Sequence, residues 1–442
     1  MKALYTKNSV MHKLTEAFSA IFPEETNPTK QHLFHLLLSV LTLNGFQSVQ
    51  FQFDHFMKIS SNFKLKSSYY TLNESKIDID SWMCALNRIA LSVMPEKNSS
   101  QPIILSIDDT MIEKSGKKFE HCEILFDHAA HNGSLYLNGH CFVSLMVSVP
   151  VQDGDKIRYL SVPVGYRMWT KEKSKLAIAA ELVQKAMEEI DSDRQVCLCC
   201  DSWYPKGEIL NLPEQFANLT LICNVRHDTV LYDLPPASTH HRGRPRIRGE
   251  KISLADFACK PIKGTDFYAG SRMVITNLFG KRRIYAIVTQ SKTGSRRLFL
   301  CTKPPESLSF DPNCSNIGKQ QNYAQTDSAL LPLTIYALRW HIEIVYYEQK
   351  KFWSLGKYML RSKTGIERLT NLLTILYAFM TLLPYCDSFF ADLSDKSPQE
   401  SRFLLGLQLL SEIFFAIFDD FRKCNKNTDQ YTFPAVSYLG FL

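Results

Sequence analysis

The chain has 442 residues, 45% of them hydrophobic and 21% charged, with a formal net charge of +7. That is a globular balance able to fill a sizeable core, and the length suggests two to three domains. The mild positive charge permits nucleic-acid binding without establishing it, because the distribution of charge matters more than its sum.

Twelve cysteines are present, but neither a disulfide framework nor a zinc site fits their spacing. Cys197, Cys199 and Cys200 lie in one apolar run, where small buried thiols are normal, and no second Cys-x2-Cys pair completes a zinc site. The histidines at 121, 128, 131 and 140 likewise lack a matching Cys pair. The N-terminus has no signal-peptide core, so a reducing cytoplasm is expected.

Residues 1–95 read as a helical N-terminal domain, with apolar residues at helical spacing over Gln31–Leu43 and Asp80–Met94. Such a region suits DNA binding, oligomerisation or packing. A polar linker closed by Pro102 follows.

The pattern then changes to strands. Ile103–Ile107 is a short apolar run expected to stop at Asp108-Asp109-Thr110. Asn132-Gly133 and Asn138-Gly139 favour primed hairpin turns, with strands over His140–Val151 and Ile157–Val164. Lys173–Ile190 reads as a helix, Val196–Cys200 as a buried strand ending in Asp201, Pro205–Phe216 as a short helix and Leu219–Val225 as another strand. Over 103–225 this order implies a mixed α/β sheet flanked by helices. Its carboxylates would sit at strand ends, where α/β sheets carry their sites.

Residues 226–330 read as a β-rich basic insertion. It holds Arg242, Arg244, Arg246 and Arg248 in one tract, and strand-like pieces over Arg272–Thr276, Arg283–Thr289 and Arg297–Cys301. The tract suits a phosphate-tracking or minor-groove arm, or else a solvated loop. Residues 331–385 hold two helices. The second is uncharged from Leu369 to Cys386 but interrupted by threonines and Pro384, and reads as a buried helix rather than a membrane span. Residues 386–442 form a C-terminal helical region, apolar on one side.

The densest chemistry lies on the first of those two helices. Tyr336, Arg339, Glu343 and Lys350 fall within an arc of roughly 60° on an ideal helix. One face would thus carry a carboxylate able to hold a divalent metal, with a guanidinium, an ammonium and a phenol able to hold phosphate oxygens. The same pattern also describes a solvated amphipathic helix of mixed charge. Asp108 and Asp201 add two further carboxylates, although each also suits a turn or helix cap.

Tyr336-x2-Arg339-x3-Glu343-x6-Lys350, Asp108-Asp109-Thr110 and the strand-terminal Asp201 together resemble the DDE transposases of the insertion-sequence-four group, over roughly residues 100–380. The resemblance implies an RNase H-like core interrupted by a β-strand insertion, and a DNA transposase that binds terminal inverted repeats, cleaves strands and transfers them. Asp108, Asp201 and Glu343 would hold two Mg²⁺ ions, or Mn²⁺, with Asp109 as the rival to Asp108. Tyr336, Arg339 and Lys350 would contact phosphates of the transposon end. The partners would be double-stranded DNA, both transposon ends and target, and a second copy in a synaptic homodimer, with no membrane, in a bacterial cytoplasm near the nucleoid. The insertion lacks the tryptophan with which certain relatives trap a flipped base. Phe267, Tyr268, Phe279, Tyr285 and Tyr323 are the aromatics that could stack instead. Two alternatives stand beside this reading: a transposase-derived DNA-binding protein without catalysis, and another RNase H-like nuclease.

Overall fold

The computed structural model describes residues 9–98, 100–116, 118–127, 133–237, 246–316, 321–325 and 327–424. The chain forms two compact units. One comprises Met1–Leu86, Gly116–Glu120 and Glu348–Leu442, and the other Asn87–Ser115 and His121–Tyr347.

The first unit is helical. It contains α1 (Val10–Ser19), α2 (Asn27–Thr42), α3 (Val49–Gln52), a π-helical turn over Phe53–Met57 leading into α4 (Lys58–Ser60), α5 (Leu65–Asn73) and the first part of α6 (Ile79–Ser92). Expected and observed ends of α2 and α6 differ by a few residues, because apolar periodicity marks the buried face and not the caps.

Two polar contacts anchor this core. The Trp82 indole, 1% exposed, donates to Glu25 at 2.6 Å. The carboxylate of Glu412 accepts from the Val10 and Met11 amides at 2.7 and 3.1 Å, placing an anion on the amino end of α1.

Residues 363–386 form the long helix read as buried. It is long and apolar enough to cross a membrane, but 78% of its most apolar stretch is buried inside the protein. Thr374 and Asn371 donate to its own backbone at Thr370 and Glu367. The helix over 398–424 closes on α2 at Gly406. A Cβ there would lie 2.5 Å from the Leu41 carbonyl oxygen, so only glycine permits the approach.

The second unit is built on a sheet. Its strands are β1 (Ile103–Glu113), β2 (Glu123–Phe126), β3 (Tyr136–Asp153), β4 (Lys156–Met168), β5 (Val196–Cys200), β6 (Leu219–Val225), β7 (Leu231–Tyr232), β8 (Lys251–Ile252), β9 (Lys260–Pro261), β10 (Phe267–Thr276), β11 (Arg283–Ser291) and β12 (Arg296–Cys301). Among the described residues all twelve belong to one sheet. β4, β3 and β1 are joined antiparallel, and β1, β5 and β6 parallel. The helices α7 (Lys175–Glu188) and α8 (Gly207–Gln215) provide the crossovers that parallel pairing requires. The remaining helices are α9 (Leu331–Ala337), α10 (His341–Phe352), α11 (Lys363–Cys386) and α12 (Pro398–Cys424). This is the mixed, helix-flanked sheet of an RNase H-like domain.

Three features differ from expectation. β1 does not stop at Asp108 but runs on to Glu113, because β3 supplies it with an antiparallel partner through Glu113↔Gly139. Asn138-Gly139 is no hairpin turn. It lies inside β3, where Gly139 pairs with Glu113 on β1 and with Glu123 on β2. The strands of residues 226–330 extend the central sheet, since β12 pairs antiparallel with β6.

The pairing explains why residue 139 is glycine. A Cβ there would lie 2.9 Å from the Ile112 carbonyl carbon and closer still to its oxygen. Gly139→Ala is expected to cost about 1–3 kcal/mol, the usual scale of overpacking. Denaturant midpoints of the two proteins measure it.

Candidate functional site

β1 and β5 run side by side as parallel neighbours up to Ile107↔Cys200. Asp108 and Asp201 are the next residue on each, so the parallel ladder ends by presenting two carboxylates together. Beyond that point β5 turns away and β1 continues alone against β3. The Asp201 carboxylate accepts the Trp203 amide at 3.0 Å, which folds the chain into a tight turn. Asp201 thus makes a turn and does not cap the helix that follows, whose N-cap is Lys206.

Glu343 arrives on α10. That helix is held to the sheet by Tyr346, whose hydroxyl meets Ser144 Oγ at 2.5 Å, and by His341, whose Nδ1 meets Ser161 Oγ at 2.9 Å. Ser144 is the residue opposite Asp108 in the β1–β3 register. Arg339 Nη1 donates to Asp108 Oδ2 at 2.9 Å and stands 3.7 Å from Glu343 Oε1. A single guanidinium thus binds the sheet carboxylate to the helix carboxylate.

Electrostatics follow from this crowding. Burial pushes the Asp108 carboxyl well above the ordinary carboxylate range. The negative charges of Asp201, Glu343 and Asp109 push it further, and Arg339 opposes them. Asp201 is also raised, chiefly by burial, against the pull of the Trp203 and Tyr204 amides and of Arg339.

Asp109, the rival to Asp108, is engaged elsewhere. Alternation along β1 turns its side chain to the other face. There its carboxylate accepts from Lys175 Nζ at 2.8 Å, Cys141 Sγ at 3.1 Å and the Tyr204 hydroxyl at 3.1 Å.

The helix that was expected to carry four functional side chains on one face is interrupted. α9 and α10 are joined by a 3₁₀ turn over Leu338–Trp340. Tyr336 is packed into the core with its ring 5.1 Å from Phe299, and Arg339 lies 5.8 Å over that ring. Lys350 sits in the last turn of α10, past the boundary between the two units at Tyr347 and Glu348.

Beside the carboxylates opens a cavity of about 300 Å³ lined in part by Asp201, Asn224, Arg297, Tyr323, Tyr336, Arg339 and Trp340. Tyr323 is the one aromatic of the proposed stacking set that borders it. Of the basic tract, Arg242 and Arg244 lie outside the described residues. Arg246 is exposed. Arg248 is tied down, stacking 3.9 Å over Tyr232 and donating to Asn277 Oδ1 at 2.9 Å.

Residues 26–263, more than half of the chain, match the family described as DDE superfamily endonuclease. The chain belongs to that superfamily. The match takes in Asp108 and Asp201 and ends before Arg339 and Glu343. It also begins within the N-terminal helices, upstream of the stretch on which the resemblance was seen. No curated protein matches the chain. Membership implies a transposase- or nuclease-type enzyme acting on DNA, and DDE-type endonucleases generally use divalent metal ions.

The donor set fits such an ion in its chemistry: three sources of hard carboxylate oxygen, two of them raised chiefly by burial, with one guanidinium set against them. As the side chains stand, no three His, Cys, Asp or Glu among the described residues are drawn together at metal-binding separation.

Sequence reasoning missed Lys175, Tyr204, Tyr346 and His341. One signal was available. Lys175 opens α7, where the helix dipole disfavours a cation, which implies a fixed anion nearby.

His341 yields a test of how α10 is seated. Burial and Arg158 hold its imidazole down to about 4, against an ordinary value of 6.5. Between those values the unfolded chain binds a proton that the folded one does not. The resulting stability is intact above about pH 6.5 and is lost progressively as pH falls toward 4. Denaturation at pH 7 and pH 5 is expected to show a smaller drop for His341→Gln than for the wild type.

Proposed function

We propose that this DDE enzyme is the DNA transposase of an insertion sequence of the insertion-sequence-four group. It binds terminal inverted repeats, cleaves DNA strands at the element's ends and transfers them to target DNA, acting as a homodimer in the bacterial cytoplasm. The observation that carries the reading is the Arg339 contact. It couples Asp108, beside Asp201 at the end of the parallel ladder, to Glu343 of the later helix. Family membership supports the same reading.

In this reading Asp108, Asp201 and Glu343 hold the divalent ions, Mg²⁺ or Mn²⁺. Bound there, the metal supplies an activated oxygen nucleophile and neutralises charge at the leaving oxygen. Arg339, already between two carboxylates, is placed to donate its remaining N–H groups to a phosphate that approaches the same carboxylates. Trp340, 57% exposed, and Tyr323 offer apolar faces along the adjoining cavity. Tyr336 supports Arg339 from beneath. Lys350 and the arginines of residues 242–248 extend phosphate contact along the duplex, with Arg248 positioned by Tyr232 and Asn277.

Glu343 is 40% exposed at its side chain, so its replacement leaves the core intact. Glu343→Gln is expected to abolish cleavage of a terminal-repeat duplex in Mg²⁺ while retaining that duplex in a gel-shift assay. Cleavage at the wild-type rate would remove Glu343 from the site. Absence of cleavage by the wild-type protein, with Mg²⁺ or Mn²⁺, would favour a DNA-binding protein without catalysis. Equal retention of random duplex at moderate salt would favour a nuclease unrelated to mobile elements.

A further inference from the structure

The side of β1 that faces away from the Arg339 contact carries a polar cluster with no part in the chemistry so far. Asp109 Oδ2 accepts from Lys175 Nζ at 2.8 Å and from Cys141 Sγ at 3.1 Å. Asp109 Oδ1 accepts from the Tyr204 hydroxyl at 3.1 Å. Tyr204 is wholly buried. Lys175 Nζ lies 5.5 Å from the ring of Trp169 and 5.5 Å from that of Trp203. The carboxylate and the ammonium are both mostly withdrawn from solvent, at 19% and 21% exposure.

These contacts converge on one short turn. Asp201 begins it and accepts the Trp203 amide. Tyr204 closes it and is tied by its hydroxyl to β1, while Trp203 between them packs against the cation that Asp109 holds. Asp109 is the residue after Asp108. The two carboxylates that end the parallel ladder are therefore linked twice. One link is the backbone pairing of β1 and β5. The other runs from Asp109 through Tyr204 to the turn that carries Asp201.

We infer that Asp109 is a positioning residue which, through Tyr204 and Lys175, fixes the turn bearing Asp201 and so sets Asp201 against Asp108. This deepens the proposed function and rests on that reading for its consequence at the metal. The placement of the turn itself does not depend on it. A residue that orients a ligand commonly changes metal affinity by about 10–100-fold when altered.

The test uses the full chain and two small changes, Tyr204→Phe, which removes one hydroxyl, and Asp109→Asn, which keeps the shape and removes the charge. Hydrogen exchange of the Trp203 and Tyr204 amides in metal-free protein reads the turn directly. Both variants are expected to exchange there at least about tenfold faster while melting close to the wild type. Mn²⁺ affinity by calorimetry is expected to weaken by about tenfold or more, and cleavage to lose kcat with little change in KM for DNA. Lys175→Arg, which keeps the cation, is expected to stay near wild type in all three. Unchanged exchange in both variants overturns the assignment. So does loss of Mn²⁺ binding in Asp109→Asn with exchange unaltered, since Asp109 would then be a ligand itself. Asp108→Asn leaves the cluster intact and tests the metal reading separately. If it keeps full Mn²⁺ affinity, the ligand set fails, and the exchange result still decides the role of Asp109.

Discussion

Carboxylates brought together in a partly dry volume repel one another, and something positive must hold them there. Here that charge is Arg339. Two unit charges about 4 Å apart interact by about 4 kcal/mol at the dielectric typical near a protein surface, so one guanidinium weighs heavily between Asp108 and Glu343. It does not balance three acids. Burial, with that excess negative charge added to it, raises Asp108 and Asp201, and the excess charge gives this corner of the fold an appetite for a hard cation.

The rest of the second unit serves that meeting. Parallel pairing of β1 with β5 aligns two strand positions to within a residue, which no flexible loop would do. The antiparallel partner β3 lets β1 run on beyond the pairing, so that successive aspartates face opposite ways. One meets the arginine, and the other joins a lysine, a thiol and a phenol. Tyr346 and His341 then seat α10 on β3 and β4 so that Glu343 reaches the same corner.

Much of this was legible in the chain. Buried runs such as Val196–Cys200 and Leu219–Val225 have the observed boundaries, because turn residues flank predominantly apolar stretches. Spacing and residue type singled out Asp108, Asp201, Glu343 and Arg339 as candidates, and Arg339 stands against Asp108 and Glu343. What spacing concealed was partnership. Nothing local in Ile103–Glu113 states that β3 will extend the strand past its aspartates. Asn138-Gly139 has the composition of a turn, yet the glycine serves close approach of two neighbouring strands. The division of labour between Asp108 and Asp109 depended on Lys175 and Tyr204, residues distant in the chain whose pairing only the tertiary structure reveals. Periodicity also presumes a uniform helix, which is why the 3₁₀ turn between Tyr336 and Glu343 could not be read from it.

That last difference carries a geometric consequence. A 3₁₀ turn advances about 120° per residue instead of 100°, so three such residues rotate what precedes them by about 60° relative to a straight helix. The tight segment between α9 and α10 works like a fixed gear offset: it brings the arginine nearer to eclipse with the phenol it overlies and turns the helix that carries Glu343 relative to α9. Wound as one unbroken coil, the same letters would hold the phenol and the arginine about 60° apart and make a different surface. Shared spacing between two chains is therefore evidence of shared chemistry only when the winding is shared as well.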